Sequence, residues 1–197
     1  MKPKKSNFDT LNKRIRWYRK IHRLTGFYLF ALLLIVAITG ILLGWKKNSF
    51  GIISADNHVG TTVSTEKWLT VFELNEIANQ QLKLHTNLTS TELDRIDIRP
   101  DKGQIKFIYK NNYYAIQLDG ANGNLLLVEY RLADLLENIH DGSILDKIFQ
   151  TNTNFFKLTF TSITGLAIVL FSFTGFWLYY GPKKLKKEKE KEKETNT

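Results

Sequence analysis

The sequence contains no cysteine, which excludes disulfides, thiolate metal sites and cysteine nucleophiles. Several motifs that carry chemistry are also missing. There is no Walker loop, no H-E-x-x-H pair, no dinucleotide-binding fingerprint and no Ser-His-Asp order. No motif therefore indicates a hydrolase or an ATPase.

Ionisable side chains other than tyrosine are absent from two long runs, Leu24 to Trp45 and Leu158 to Tyr180. Each run exceeds the roughly 20 apolar residues that cross a hydrocarbon core about 30 Å thick. We therefore predict two transmembrane helices, with Gly181-Pro182 ending the second. Because neither run contains a carboxylate, a self-contained proton or ion path is not indicated.

The net charge of +9 is concentrated at the two ends of the chain. Residues 1–23 hold nine Lys and Arg against one Asp, and residues 181–197 hold seven Lys against four Glu. The positive-inside rule then predicts that both termini are cytoplasmic and that the middle of the chain is periplasmic or extracellular. The basic residues lie where the positive-inside rule requires them, so their number does not indicate nucleic acid as a partner. Lys- and Asn-rich usage indicates a bacterial source, and the expected location is then the bacterial cell (inner) membrane.

This pattern divides the chain into five segments. They are a basic cytoplasmic segment (1–23), a first transmembrane helix (24–45), an extracytoplasmic domain (46–157), a second transmembrane helix (158–180) and a charged cytoplasmic tail (181–197).

Periodicity predicts one helix and an antiparallel meander inside the middle segment. Apolar residues recur at helical spacing over Glu66 to Leu84, with Thr65 as the cap. Alternating patterns separated by Gly- and Asn-rich turns predict four strands, and a short helix follows them and ends near residues 140–142. The predicted strands are Leu93 to Arg99, Gln104 to Lys110, Tyr113 to Leu118 and Leu125 to Tyr130. The predicted fold class is an α+β membrane protein, with two transmembrane helices flanking a small domain.

Several short motifs resemble the PepSY-associated transmembrane family. The meander ends in Ile116-Gln-Leu-Asp119 and Asn122-Gly123, similar to the turn that closes a PepSY domain. The first span opens with Arg19-Lys-Ile-His-Arg-Leu-Thr-Gly26 and ends near Thr39-Gly40, while Ile139-His-Asp-Gly142 precedes a second span that contains Thr174-Gly175. The resemblance covers residues 15 to 182 and implies a PepSY-like domain between the spans.

The resemblance also implies a function. Longer members of the family have four or more transmembrane helices, and some are similar to haem-containing reductases that release iron from ferric siderophores. Carried over to this chain, the haem-binding positions are His22 and His140, and the cofactor is haem b. Because this chain has two spans, it would act as an accessory or subunit in a homo-oligomer or a larger membrane complex.

The residues themselves leave two interpretations of His22 open. A neutral imidazole at the membrane edge, with apolar walls and nearby cations, suits haem iron and its propionates. An interfacial histidine with a partly wet polar tip needs no ligand. His22 and His140 are predicted on opposite membrane faces, roughly 30 Å apart, so they cannot share one haem.

Small residues predict helix contacts. His22, Gly26, Gly40 and Gly44 fall on one face of the first helix, and Thr161, Gly165, Ser172 and Tyr179 form a comparable stripe on the second. Gly40 and Gly44 make a GxxxG pair, a common association surface in membranes. The predicted helix-packing residues are Gly26, Gly40, Gly44, Gly165 and Gly175. The two stripes either pack on each other or join two chains into a four-helix bundle in which two His22 side chains meet at one iron.

The alternative function is a non-enzymatic binding or regulatory module. In that case the lipid bilayer holds the domain, and its sheet binds a peptide, a protease or an envelope partner. A bare assembly factor, with helix packing as its whole function, is a third alternative.

Overall fold

In a computed structural model, two long helices flank a small α+β domain. The structure describes residues 7–110, 112–151 and 153–195. Of the predicted segments, residues 1–6, 111, 152 and 196–197 lie outside this description.

The long helices are α1, Asn7–Gly44, and α5, Phe155–Thr195. They pack antiparallel, because Ile15 contacts Gly181 near the termini and Gly26 contacts Phe171 further along. In the most apolar 18-residue windows of the two helices, only 6% and 11% of residues are buried. Helices at the core of a soluble domain would be mostly buried, so these exposed apolar surfaces are those of helices that contact lipid.

The prediction that Pro182 ends the second helix is wrong, because α5 continues through it to Thr195. Proline removes one backbone hydrogen bond and costs about 3 kcal/mol in a helix interior. The residues that follow are nearly all Lys and Glu, which are good helix formers, and Glu188 and Lys191 form an ion pair at i, i+3. Lys183 also packs over the ring of Tyr179, with its Nζ 4.0 Å from the ring centroid.

The predicted meander is confirmed as a four-stranded antiparallel sheet in the order β1-β2-β3-β4. A register shift between Leu93 and Arg95 is consistent with the alternation of β1, in which Leu93 is out of phase. Short 3-10 turns lie at Lys46–Asn48, Thr65–Lys67 and Pro100–Lys102. The strands are β1 Leu93–Arg99, β2 Gln104–Tyr109, β3 Tyr114–Asp119 and β4 Leu125–Tyr130.

One face of the sheet packs on α2, Val71–His85. The helix begins later than the predicted Glu66, because Thr70 and Glu73 form a capping box that fixes its first turn. Trp68, which precedes the helix, instead packs its indole against Gly120 and donates its Nε1–H to the carbonyl of Thr62. The buried core between sheet and helix comprises Leu74, Ala78, Leu82, Ile105, Phe107, Tyr109, Ile116 and Leu118.

The other face of the sheet is polar, and residues 56–61 cross it as a strap. Lys106 and Glu129 form an ion pair of 2.6 Å there, and Gln117 donates to Glu129. The strap is hydrogen-bonded to this face, because the backbone N–H groups of His58 and Thr61 donate to the side chains of Gln117 and Asp119. Both faces of the sheet are therefore covered.

Two short helices, α3 (Leu132–Asp141) and α4 (Ser143–Ile148), connect the sheet to α5. The end of α3 at Gly142 matches the prediction, and Gly142 has the left-handed φ of 80° that terminates a helix. The carboxylate of Asp146 accepts hydrogen bonds from the backbone N–H groups of Phe156 and Lys157 in the first turn of α5. Burial alone would raise the pKa of Asp146, but these bonds and the one from Thr151 lower it.

Candidate functional site

His22 contacts the second long helix near the terminal end of the pair. Its Nδ1 lies 2.7 Å from the Oγ1 of Thr174 on α5. The imidazole meets the ring of Phe171 edge-on, with the centroids 4.7 Å apart. An added Cβ at Gly175 would lie 3.9 Å from the His22 Cε1, so the ring packs against the backbone beside Thr174.

His140 makes the corresponding contact at the domain end of the pair. It lies near the end of α3, and its Nδ1 is 2.9 Å from the Oγ1 of Thr39 on α1. An added Cβ at Gly40 would be 3.3 Å from the His140 Cε1, which is tighter than ordinary contact. Each histidine therefore meets a Thr-Gly pair of a neighbouring helix.

Counting hydrogens fixes the role of each ring nitrogen. The hydroxyl oxygen of Thr174 is 2.6 Å from the carbonyl of Leu170, and that of Thr39 is 2.7 Å from the carbonyl of Ile35. A carbonyl only accepts, so each threonine donates its single hydrogen to its own helix. The hydroxyl must then accept from the histidine Nδ1–H. In a neutral imidazole this leaves Nε2 unprotonated, with a free lone pair.

The two histidines lie at opposite ends of the helix pair. His22 lies on α1 itself, and His140 contacts the same helix at Thr39. Seventeen residues at about 1.5 Å per residue separate these positions by roughly 25 Å. One iron therefore cannot bind both histidines of one chain. The other histidines, His58 and His85, are exposed in the domain.

An ion pair supports the position of His140. The carboxylate of its neighbour Asp141 lies 2.7 Å from the Nζ of Lys157, at the start of α5. Burial would raise the pKa of Asp141, but hydrogen bonds from Lys157 and Ser143 together lower it. The end of α3 is thus attached to both long helices.

Among the five predicted packing glycines, three lie at contacts within the chain. Gly26 faces Phe171, Gly40 faces His140, and Gly175 faces His22. An added Cβ at Gly44 or Gly165 would meet nothing within 4 Å, so their packing stays a prediction about another chain.

The predicted stripe on the second helix does not face α1. Its residues Thr161, Gly165, Ser172 and Tyr179 are exposed, whereas the buried positions among the described residues of α5 are Thr164, Ala167, Thr174 and Gly181. The buried face of α5 is therefore the one that includes Thr174, which meets His22.

Sequence reasoning missed the partners of both histidines. The Thr39-Gly40 and Thr174-Gly175 pairs were visible as repeated dipeptides in apolar surroundings. A hydroxyl and a missing side chain at adjacent positions provide a hydrogen-bond acceptor and space for a ring. That signal could have assigned a contact to each pair, but it could not have shown which histidine meets which pair.

No group of three or more His, Cys, Asp or Glu that could hold a metal ion occurs among the described residues. Each histidine thus offers one nitrogen, which suits an axial position on a cofactor that brings its own metal ligands.

Comparison with known proteins identifies a family. The family model described as the PepSY-associated TM region matches residues 2–182. No curated protein matches the chain.

Proposed function

The chain belongs to the family of the PepSY-associated TM region, and from that premise we propose that it is a haem-binding subunit of a membrane complex that handles iron. In this proposal His22 and His140 would each hold a haem b through one ring nitrogen, at separate sites. The reaction that the complex would serve is the reduction of ferric siderophores. That the chain is a membrane-associated PepSY protein follows from the family and from its two apolar helices.

The observation that carries the proposal is the hydrogen-bonding state of the two imidazoles. Histidines that bind a metal usually donate their other ring N–H to a fixed acceptor, which sets the tautomer and the ring orientation. Thr174 and Thr39 are such acceptors for His22 and His140. The same bond leaves Nε2 as the ring nitrogen whose lone pair is available to iron when the imidazole is neutral.

At each site this chain offers a single nitrogen ligand, that of one histidine. The apolar ring of Phe171 suits a flat apolar ligand beside His22, and the missing side chain at Gly175 makes room for the imidazole itself. Because the two histidines are at opposite ends of the pair, a second axial ligand would come from another chain. A homo-oligomer is the simplest source.

When bound, haem iron would supply one-electron chemistry. The roles of the protein's own groups follow from their contacts. Thr174 and Thr39 hold the Nδ1 protons and orient the rings, while Phe171 packs against the His22 imidazole.

We also propose that both termini lie in the cytoplasm and that residues 46–157 lie on the opposite face. Lys and Arg crowd the terminal end of the helix pair, as the positive-inside rule requires for a cytoplasmic end.

The haem proposal predicts a coloured protein. Purified in mild detergent from haem-replete cells, the chain should show a Soret band, and an α band after reduction with dithionite. His22→Ala and His140→Ala should each lower the haem content by about half, and the double variant should abolish it, because each removes one iron-binding nitrogen. Thr174→Val keeps the imidazole but removes its acceptor, and should weaken haem retention at that site about 10- to 100-fold.

The matched control is His85→Ala, an exposed histidine at the end of α2, which should leave the spectrum unchanged. A colourless wild-type protein would refute the proposal, and so would a double variant with the full haem content.

The topology makes a separate prediction, which the absence of cysteine makes simple to test. A membrane-impermeant maleimide should label Asp101→Cys in intact cells, because Asp101 lies in an exposed turn of the domain. Asn7→Cys and Glu194→Cys should be labelled only after the membrane is permeabilised. The reverse pattern would invert the arrangement.

A further inference from the structure

A cleft of about 550 Å³ opens between α1 and α5 at the level of Ile15, which lines it and contacts Gly181. Its aromatic wall is formed by Tyr18 and Trp177, whose rings stack with centroids 5.7 Å apart, and by Trp17, which meets Tyr18 edge-on. The lining also contains three cations, Lys13, Arg14 and Lys184. The cleft exists because α5 remains helical past Pro182, which brings Lys184 opposite α1.

The charge in this cleft is of one sign. No carboxylate lines it, and within the described parts of the chain none of the three cations lies within 4.0 Å of one. Glu188 lies in an adjoining cleft that Arg14 and Lys184 also line, but its ion-pair partner is Lys191. Like charges held together at a half-enclosed site are stabilised by an anion.

The order of side chains along the helices matches the order of groups in a phospholipid. Lys13 and Arg14 come first, Trp17 and Tyr18 lie one turn further, and the apolar run begins at Leu24. On α5 the order along the chain is reversed. The apolar run comes first, Trp177 lies near its end, and Lys184 follows outside it. Tryptophan and tyrosine concentrate at headgroup depth, with basic residues just outside them. A free anion would use the cations but not the indole wall.

We propose that this cleft binds one anionic phospholipid from the leaflet that faces the termini. The phosphate lies among Arg14, Lys184 and Lys13, and the glycerol and upper acyl chains lie against Trp17, Tyr18 and Trp177. The site is separate from the two histidine contacts and does not depend on haem.

Native mass spectrometry of the full chain, released from detergent with added lipid, tests the site directly. The wild type should retain one phosphatidylglycerol and should not retain phosphatidylcholine. The double variant R14Q/K184Q should bind phosphatidylglycerol at least about tenfold more weakly, because it removes two of the three cations. Trp17→Ala, at a position that is 59% exposed and therefore not needed for folding, should also weaken retention.

The matched control is K46Q/K47Q, which removes two positive charges at the other end of α1 and should bind like the wild type. Equal retention by R14Q/K184Q and the wild type would overturn the proposal, as would equal retention of the two lipids. Displacement of the lipid by millimolar glycerol phosphate would assign the cleft to a free anion instead.

Discussion

Glu129→Ala should destabilise the sheet by about 3–5 kcal/mol, the usual cost of leaving one partner of a buried ion pair without the other. The side chains of Lys106 and Glu129 are only 14% and 7% exposed, and their charged groups are 2.6 Å apart. Removing the carboxylate leaves the Lys106 ammonium under the strap without a counter-charge. Gln117 also loses the oxygen to which its amide donates.

Hydrogen–deuterium exchange of the full chain in detergent measures this effect. Amides of β2 and β3 should exchange about two to nearly four orders of magnitude faster, since each 1.4 kcal/mol of opening free energy is a factor of ten. The chain offers a matched control in Glu92, which pairs with Lys110 at the same 2.6 Å but with side chains 60% and 46% exposed. Glu92→Ala should cost less than about 1 kcal/mol.

A second variant separates charge from packing. Lys106→Met combined with Glu129→Leu removes both charges and keeps the volume, so it should recover most of the lost protection. If the double variant exchanges as fast as Glu129→Ala, or if Glu92→Ala has the same effect, the buried charge is not the cause.

Phe107→Ala should destabilise the domain by about 3–5 kcal/mol, because it removes a large side chain from the centre of the core and leaves a cavity. Phe107 is fully buried between the sheet and α2. Since 1 kcal/mol shifts the melting temperature of a small domain by about 4–8 °C, the midpoint should fall by roughly 15 °C or more. Thermal melting followed by the sheet band of the infrared spectrum distinguishes this loss from changes in the long helices.

Phe72→Ala serves as the control for Phe107→Ala. Phe72 is 70% exposed on α2, so its removal should shift the midpoint by only a few degrees. An equal shift for the two variants would show that the core does not lie where the structure places it.

The elements with strong local signals were predictable from the sequence. Alternation and turn chemistry located all four strands to within a residue, and β1 and β4 match the predicted bounds. Gly142 gave the end of α3, because only a residue without a side chain easily adopts its φ of 80°.

Helix ends were less predictable, because competing local effects of similar size decide them. Both Thr65 and Thr70 could have capped α2. Thr70 is the cap, because its side chain and that of Glu73 each bond the other's backbone N–H. At Pro182 the local penalty was outweighed by the helix propensity of the Lys and Glu residues that follow. The strap could not be foreseen, since residues 56–61 show no periodicity.

The histidine sites were predictable only in part. Motif resemblance identified His22 and His140, but the threonines that set their tautomers lie 152 and 101 residues away in sequence. No local pattern records such a pairing. It depends on the rotation of α5 about its axis, which is determined by the packing of the whole pair.

The separation between His22 and Thr174 has a consequence for biosynthesis. At about 5–20 residues per second, His22 leaves the ribosome roughly 8–30 s before its acceptor does. The sheet has no such delay, because short turns join its neighbouring strands and local contacts form quickly. The globular domain can therefore fold before α5 is synthesised, and until then His22 on α1 has no Thr174 to bond with.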